Sequence, residues 1–312
     1  MRGFKNILFL ADGSKGQQSA LNRAAELARE NRAKLTIFDA VEPEELGFFD
    51  SKTKKEIAAL HKAQLQERLD QLKRLCEKVN SKYPKLRARA DIRPGNLVRA
   101  VIFAVLGKQH DLVIKAPEGD TGKLKALFGS TDHKLMRICP CPVWVVKPSR
   151  KKKFRKILAA IDLNPAEPQR ESLAKQVMTL STALAKEEQS ELYVVHAWQL
   201  AYESQLRSRQ PQRDQVDNLL QEIQAAIQSA IEKLTSKYPY KKSSVHLIRG
   251  EAKDVIPKFV EAANIDLVVI GTVGRSGVSG LLIGNTAEHV LNTINCSVLT
   301  LKPEGFEAPI KL

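Results

Sequence analysis

Asp266-Leu267-Val268-Val269-Ile270-Gly271-Thr272-Val273-Gly274-Arg275-Ser276-Gly277-Val278-Ser279-Gly280-Leu281-Leu282-Ile283-Gly284-Asn285-Thr286 passes from an apolar run into glycine and out again. The run 267–270 has the length of a strand and no polar alternation, which is how a strand buried on both faces reads. Four of the ten residues from 271 to 280 are glycine. Glycine lets backbone amides come close to a bulky anion and take positive φ. Asn285 or Thr286 then caps a helix whose free amides favour a phosphate by about 0.3–2 kcal/mol. Strand, glycine loop and helix start, in that order, are the parts of a phosphate cradle.

The same unit is written earlier in the chain. At an offset of 155, Asp111-Leu112-Val113 matches Asp266-Leu267-Val268, Gly119 matches Gly274, Gly129 matches Gly284, and Lys147-Pro148 matches Lys302-Pro303. The 38 positions from 111 to 148 align without a gap, and 12 are identical. Ser81-Lys82-Tyr83-Pro84 recurs as Ser236-Lys237-Tyr238-Pro239, and Gly95 as Gly250. Nearer the start the offset is 150, pairing Phe4 to Leu8 and Asp12 with Phe154 to Leu158 and Asp162. The chain is therefore a duplication, with five extra residues in the second copy near its first two helices. The domains are expected at 1–149 and 157–312, joined by a basic linker, 150–156.

Within each copy the period switches between strand and helix. Ile7 to Ala11 and Ile157 to Ile161 read as first strands, and Leu35 to Ala40 and Leu192 to Ala197 as second strands. Leu65, Leu69, Leu72, Cys76 and Val79 mark one long amphipathic helix; Val216, Leu219, Leu220, Ile223, Ile227, Ile231 and Leu234 mark its counterpart. Arg87 to Ile92 and Ser244 to Ile248 follow as third strands, and Val143 to Val146 and Val298 to Leu301 close the copies. Alternating strands and helices predict an α/β fold, each copy a parallel sheet with helices on both faces. The polar stretch 199–213 is expected to be a mobile insertion. The two closing strands are short and apolar, and left as open edges they would invite self-association, so both are expected to be covered.

Length and composition agree. A chain of 312 residues with 43% hydrophobic and 27% charged residues fits two globular domains and excludes a disordered, collagen-like or disulfide-scaffold protein. No apolar run reaches membrane-spanning length, and Ile7 to Ala11 is too short for a signal-peptide core, which places the protein in the cytoplasm. The net charge of +15 is uneven: residues 1–149 carry 28 basic and 17 acidic side chains, residues 157–312 carry 16 and 18. A basic half can attract nucleic acid, but 17 aromatics in the whole chain are few for stacking bases, so a small-molecule ligand is favoured. Cys76, Cys139, Cys141 and Cys296 are too few for a disulfide framework or a zinc site.

With Gly271-x2-Gly274-x9-Gly284 between an apolar strand and a helix, in a unit repeated along nearly the whole chain, the sequence resembles the tandem-domain universal stress protein family. The resemblance implies two Rossmann-like domains of the adenine nucleotide alpha hydrolase type, each with a five-stranded parallel sheet, and, from the family's dimeric members, closing strands that face each other across a pseudo-twofold axis as an intramolecular pseudo-dimer. A further homodimer stays open. It implies stress response as the role and ATP or a related adenine nucleotide, with or without Mg, as cofactor. Family members that bind ATP use the acid after the first strand near the ribose or metal, which maps to Asp162. Their glycine loop, here Gly271, Gly274, Gly284, Asn285 and Thr286, holds phosphates. The family pattern has Ser or Thr directly after the last glycine, where this chain has Asn285, with Thr286 one place on. The first copy departs further, with Ala116 and Pro117 opening its loop and Lys115 where the second copy has Ile270. Lys115 can reach an anion or an acid such as Asp12, and the broken loop reads as a degenerate site.

Other active-site patterns are absent from the sequence: no Gly-x-Ser-x-Gly, His-Glu-x-x-His or Gly-x-Gly-x-x-Gly occurs. The six histidines are scattered, none is assigned to catalysis, and His196 reads either as pocket lining or as core. No general base with a partner stands near the loop, which favours binding over catalysis, with at most a slow ATPase. The alternative is a scaffold or carrier of a lipid or other non-nucleotide molecule.

Overall fold

The computed structural model describes residues 3–14, 16–43, 51–119, 128–149, 153–163, 168–200, 203–209, 213–272 and 284–310. The first copy contributes β1 (Asn6–Leu10), α1 (Gln17–Asn31), β2 (Lys34–Val41), α2 (Ser51–Lys82), β3 (Arg89–Pro94), α3 (Leu97–Lys108), β4 (Leu112–Lys115), α4 (Ser130–Ile138) and β5 (Val143–Val145). The second contributes β6 (Lys156–Ala160), α5 (Pro168–Glu188), β7 (Glu191–Trp198), α6 (Glu203–Arg209), α7 (Arg213–Thr235), β8 (Ser243–Arg249), α8 (Ala252–Ala263), β9 (Leu267–Gly271), α9 (Asn285–Thr293) and β10 (Ser297–Leu301).

The strands form one ten-stranded sheet in the order β3-β2-β1-β4-β5-β10-β9-β6-β7-β8. Within each copy all neighbours are parallel. The copies meet where β5 and β10 pair antiparallel, with Val145 opposite Val298, Trp144 opposite Leu299 and Val143 opposite Thr300. The two apolar closing strands thus cover each other's open edge. Trp144 is completely buried there, and Phe154 packs on it with ring centroids 5.9 Å apart.

Two cores flank the sheet. Leu21, Leu72, Val177 and Ile231, from α1, α2, α5 and α7, fill one face; Val101, Leu135, Val260 and Val290, from α3, α4, α8 and α9, fill the other. α1 takes its place because Ala20, Leu21, Ala24, Ala25, Leu27 and Ala28 form one buried stripe at helical spacing. α3 starts where the Asn96 side chain accepts from Arg99 N at 3.3 Å.

Three expectations need correction. Residues 203–209, placed in a mobile insertion, form a helix, in which Arg207 bridges Glu203 and Asp217. Lys156 opens β6 and Phe154 is buried, so these members of the basic run belong to the second domain, while 150–152 lie outside the described residues. The copies also shift more than the sequence alignment suggests: Ile7 pairs with Leu35 and Ile157 with Leu192, an offset of 157 at the second strands. A longer α5 accounts for it, with 21 residues against 15 in α1. Among the described residues no helix is long and apolar enough to cross a membrane.

Candidate functional site

In the order β3-β2-β1-β4-β5 the winding direction reverses between β1 and β4, and its counterpart lies between β6 and β9. Ligands of open parallel sheets bind beyond the carboxyl ends of the strands at that reversal. Asp12 and Lys115 stand there in the first domain, Asp162 and Gly271 in the second.

In the first domain the position is filled from within. Lys115, fully buried at the end of β4, donates from Nζ to Asp132 Oδ1 in the first turn of α4, and its ammonium lies 3.1 Å from Asp12 Oδ2. The other carboxylate oxygen, Asp132 Oδ2, accepts Gly129 N at 2.8 Å and Glu118 N at 2.9 Å. Glu118 Oε2 accepts Thr131 N at 3.0 Å, and Asp12 Oδ1 accepts the Ser14 hydroxyl at 2.6 Å. Two carboxylates of the chain therefore hold the amides at the start of α4, the place an external anion would take. Burial works against both charges of the central pair. For Lys115 the attraction of Asp132 and Asp12 outweighs it and holds the amine above its ordinary value, while burial lifts the Asp132 carboxyl above the usual carboxylate range.

The second domain lacks these charges. Ile270 stands where the first has Lys115, and Ala287 where it has Asp132. Gly284 precedes α9 with no side-chain cap, Asn285 is exposed as the first helical residue, and Thr286 is half-buried. Asp162 is exposed and ion-paired with Arg170 at 2.9 Å. Gly274 and the rest of 273–283 lie outside the described residues. Gly271 has a packing reason of its own: a Cβ there would collide with Leu173 Cδ2 and lie 2.8 Å from its Cγ. Next to the end of β9, Lys302 Nζ donates to Thr272 Oγ1 at 2.7 Å and to Met136 O and Arg137 O at 2.8 and 2.7 Å, so the second domain caps the last turn of α4. Burial drives its pKa down to about 7. His196 is core, its Nδ1 3.0 Å from Ile161 O, and all four cysteines are buried and free. Among the described residues no group of three or more His, Cys, Asp or Glu could hold a metal ion.

Residues 3–147 and again residues 153–302 match the Universal stress protein family. The chain belongs to that family. Its universal stress protein domains cover both sheet halves. It is 28% identical over 321 residues to universal stress protein E of Photorhabdus laumondii, covering all of this chain and 99% of the relative. It is 27% identical to universal stress protein E of Escherichia coli, covering all of this chain and 98% of that one. A crystal structure of a universal stress protein from Pseudomonas aeruginosa superposes with a TM-score of 0.74 at 25% identity, covering 98% of this chain and 95% of that one.

The sequence pointed to Lys115 and Asp12 as partners but not to Asp132, which completes the cluster. The signal lay in the repeat itself. Against Ile270 and Ala287, an opposite pair of charges enters the first copy at two positions 17 residues apart, as a buried ion pair requires.

Proposed function

We propose that this protein is a cytoplasmic stress-response protein whose second domain binds ATP or a related adenine nucleotide without efficient catalysis. The observation that carries the reading is the contrast at the helix starts. In the first domain Asp132 holds Gly129 N, whereas Ala287 in its place has no side chain with which to hold the start of α9. Among the described residues no side-chain cap competes with an anion at Gly284, Asn285 and Thr286, and the amides there favour it. Gly271 and Gly274 would carry the loop over the phosphates. Asp162 would face the ribose or a phosphate-bound Mg, exchanging its contact with Arg170. An exposed acid paired with arginine is a poor general base, which fits binding with at most slow hydrolysis.

Calorimetric titration of the full chain with ATP tests this. Binding is expected, with Gly284→Val lowering affinity at least about tenfold, about 1.4 kcal/mol. Gly274→Val is expected to do the same and Asp162→Ala to weaken binding, whereas Gly119→Val should change it little. Asn285→Ser should preserve or tighten binding. Equal losses from Gly119→Val and Gly274→Val, or no heat from the unaltered protein, would refute the assignment.

A further inference from the structure

The duplication makes the two sides of the domain junction comparable residue by residue. The C-caps of α1 and α5, Arg32 and Gln189, both take left-handed backbone, with φ of 52° and 60°. The bond from Ala33 N to Ala28 O recurs from Ser190 N to Ala185 O. At this offset Arg23 corresponds to Leu180 and Asn31 to Glu188, while Phe4 corresponds to Phe154. On one side the Arg23 guanidinium lies 4.5 Å from the Phe154 ring centre and is ion-paired with Glu188, whose other oxygen accepts Phe154 N at 3.1 Å. On the other side the counterparts cannot repeat this. Leu180 has no charge, and the Asn31 amide bonds back to Leu27 O at 2.9 Å. Here a cavity of about 500 Å³ opens between α1 and α5.

Its chemistry is one-sided. Phe4, Leu27, Leu180, Leu184 and Leu301 give it apolar walls, and its volume falls in the range of small-molecule sites. Two of the charged groups lining it are already committed: the Lys175 ammonium lies 2.7 Å from Glu171, and Asp111 accepts Lys5 N and Asn6 N at 2.6 and 2.9 Å. That leaves Glu187 and Glu304, both exposed carboxylates at the rim, and Gln176, whose buried Nε2 has no partner among the described residues. Glu187 faces Glu30, its own counterpart across the axis. Although the residue is exposed overall, partial burial of its carboxyl and the neighbouring Glu30 push that carboxyl up to about 7, so near neutral pH it holds a proton part of the time. A ligand cation can take that proton's place.

We propose that this inter-domain cavity binds a small apolar molecule carrying one ammonium group, its hydrocarbon body along Leu180 and Leu184 and its charge at Glu187. The site lies against α1 and α5, on the face of the sheet opposite α9, and does not depend on nucleotide binding. Three probes of equal chain length, decylamine, decanol and decanoate, titrated calorimetrically into the full chain below their aggregation thresholds, test it. Decylamine should bind at least about tenfold more tightly than decanoate, a difference of about 1.4 kcal/mol. Glu187→Gln should lower decylamine affinity to that of decanol and leave decanol unchanged. Ala183→Trp, which fills the cavity, should abolish binding of both, and Gly284→Val should leave both intact. Should Ala183→Trp fail to fold, the decylamine to decanol ratio in Glu187→Gln decides by itself. Decanoate binding as tightly as decylamine, an unchanged ratio in Glu187→Gln, or no binding of decylamine would overturn the proposal.

Discussion

Replacing Lys115 and Asp132 by the residues of the second copy, Lys115→Ile with Asp132→Ala, tests whether the first site is closed by its own charges. Both side chains are fully buried, and removing one partner of such a pair costs about 3–5 kcal/mol. Lys115→Ile should lie at the lower end, because Asp132 keeps the amides of Glu118 and Gly129 and can protonate. Asp132→Ala should lie at the upper end, because it strands the ammonium and frees both amides. If the effects added, the double variant would lose roughly 6–10 kcal/mol. The physical expectation is far smaller. No buried charge is left unpaired apart from Asp12, which keeps the Ser14 hydroxyl, and the two freed amides cost about 1–3 kcal/mol each at most. The double variant should therefore be more stable than Asp132→Ala alone. Urea unfolding followed by the combined fluorescence of Trp144 and Trp198, with a matching thermal scan, reads this. A second readout is specific to the closure: relative to chloride at equal ionic strength, inorganic phosphate should raise the melting temperature of the double variant by more than it raises that of the parent chain, which has only the second-domain site. Additive losses, or a phosphate response equal to the parent's, would refute the reasoning.

Gly271→Ala should destabilise by about 1–3 kcal/mol through overpacking against Leu173, and Leu173→Ala should relieve most of that in the double variant, as chemical denaturation would show. Lys302 gives a stability contribution with a defined sign. Its ordinary pKa of 10.5 falls to about 7 on folding, so the unfolded chain binds more protons and stability rises between those pH values. Lys302→Met should flatten that rise, standing at least as stable as the parent below about pH 7 and less stable near pH 10, in melting temperatures taken across the range. Glu187 acts the other way: raised from 4.5 to about 7, it favours the folded state at low pH, and its contribution is lost as pH rises through that window. Glu187→Gln should weaken that fall; an unchanged profile would show that the Glu30 pair does not titrate with folding.

The strands and long helices were legible because their periods are strong and are written twice. That β5 and β10 would need covering followed from one physical demand, that a short apolar strand not be left as an open edge, whereas their facing each other came from the family resemblance and their antiparallel register from the structure alone. What escaped depended on contacts between distant positions. Asp132 in a first helical turn reads as an ordinary acid favoured by the helix dipole, and only Lys115 at the end of a different strand makes it the occupant of a site. Gly271 reads as part of a phosphate loop, yet Leu173 on α5 gives it an independent reason to be glycine. Helix α6 was hidden by polarity, since its ordering rests on Glu203, Arg207, Asp217 and Arg249 rather than on an apolar stripe.

The closed first site and the joined sheet bear on each other. A domain that had lost its ligand would ordinarily be free to degrade, but here its β5 covers β10, Thr300 Oγ1 donates to Val143 O at 3.2 Å, and Lys302 draws its capping oxygens from α4. The second domain cannot keep its edge strand paired, or satisfy Lys302, without an intact α4 and β5. α4 in turn needs an anion at its start. An external phosphate would meet that need only at sufficient concentration, whereas Asp132 meets it permanently, with Lys115 balancing the charge. With Asp132 built in, the start of α4 is satisfied by the chain itself, and the surface on which the second domain depends is held without a ligand.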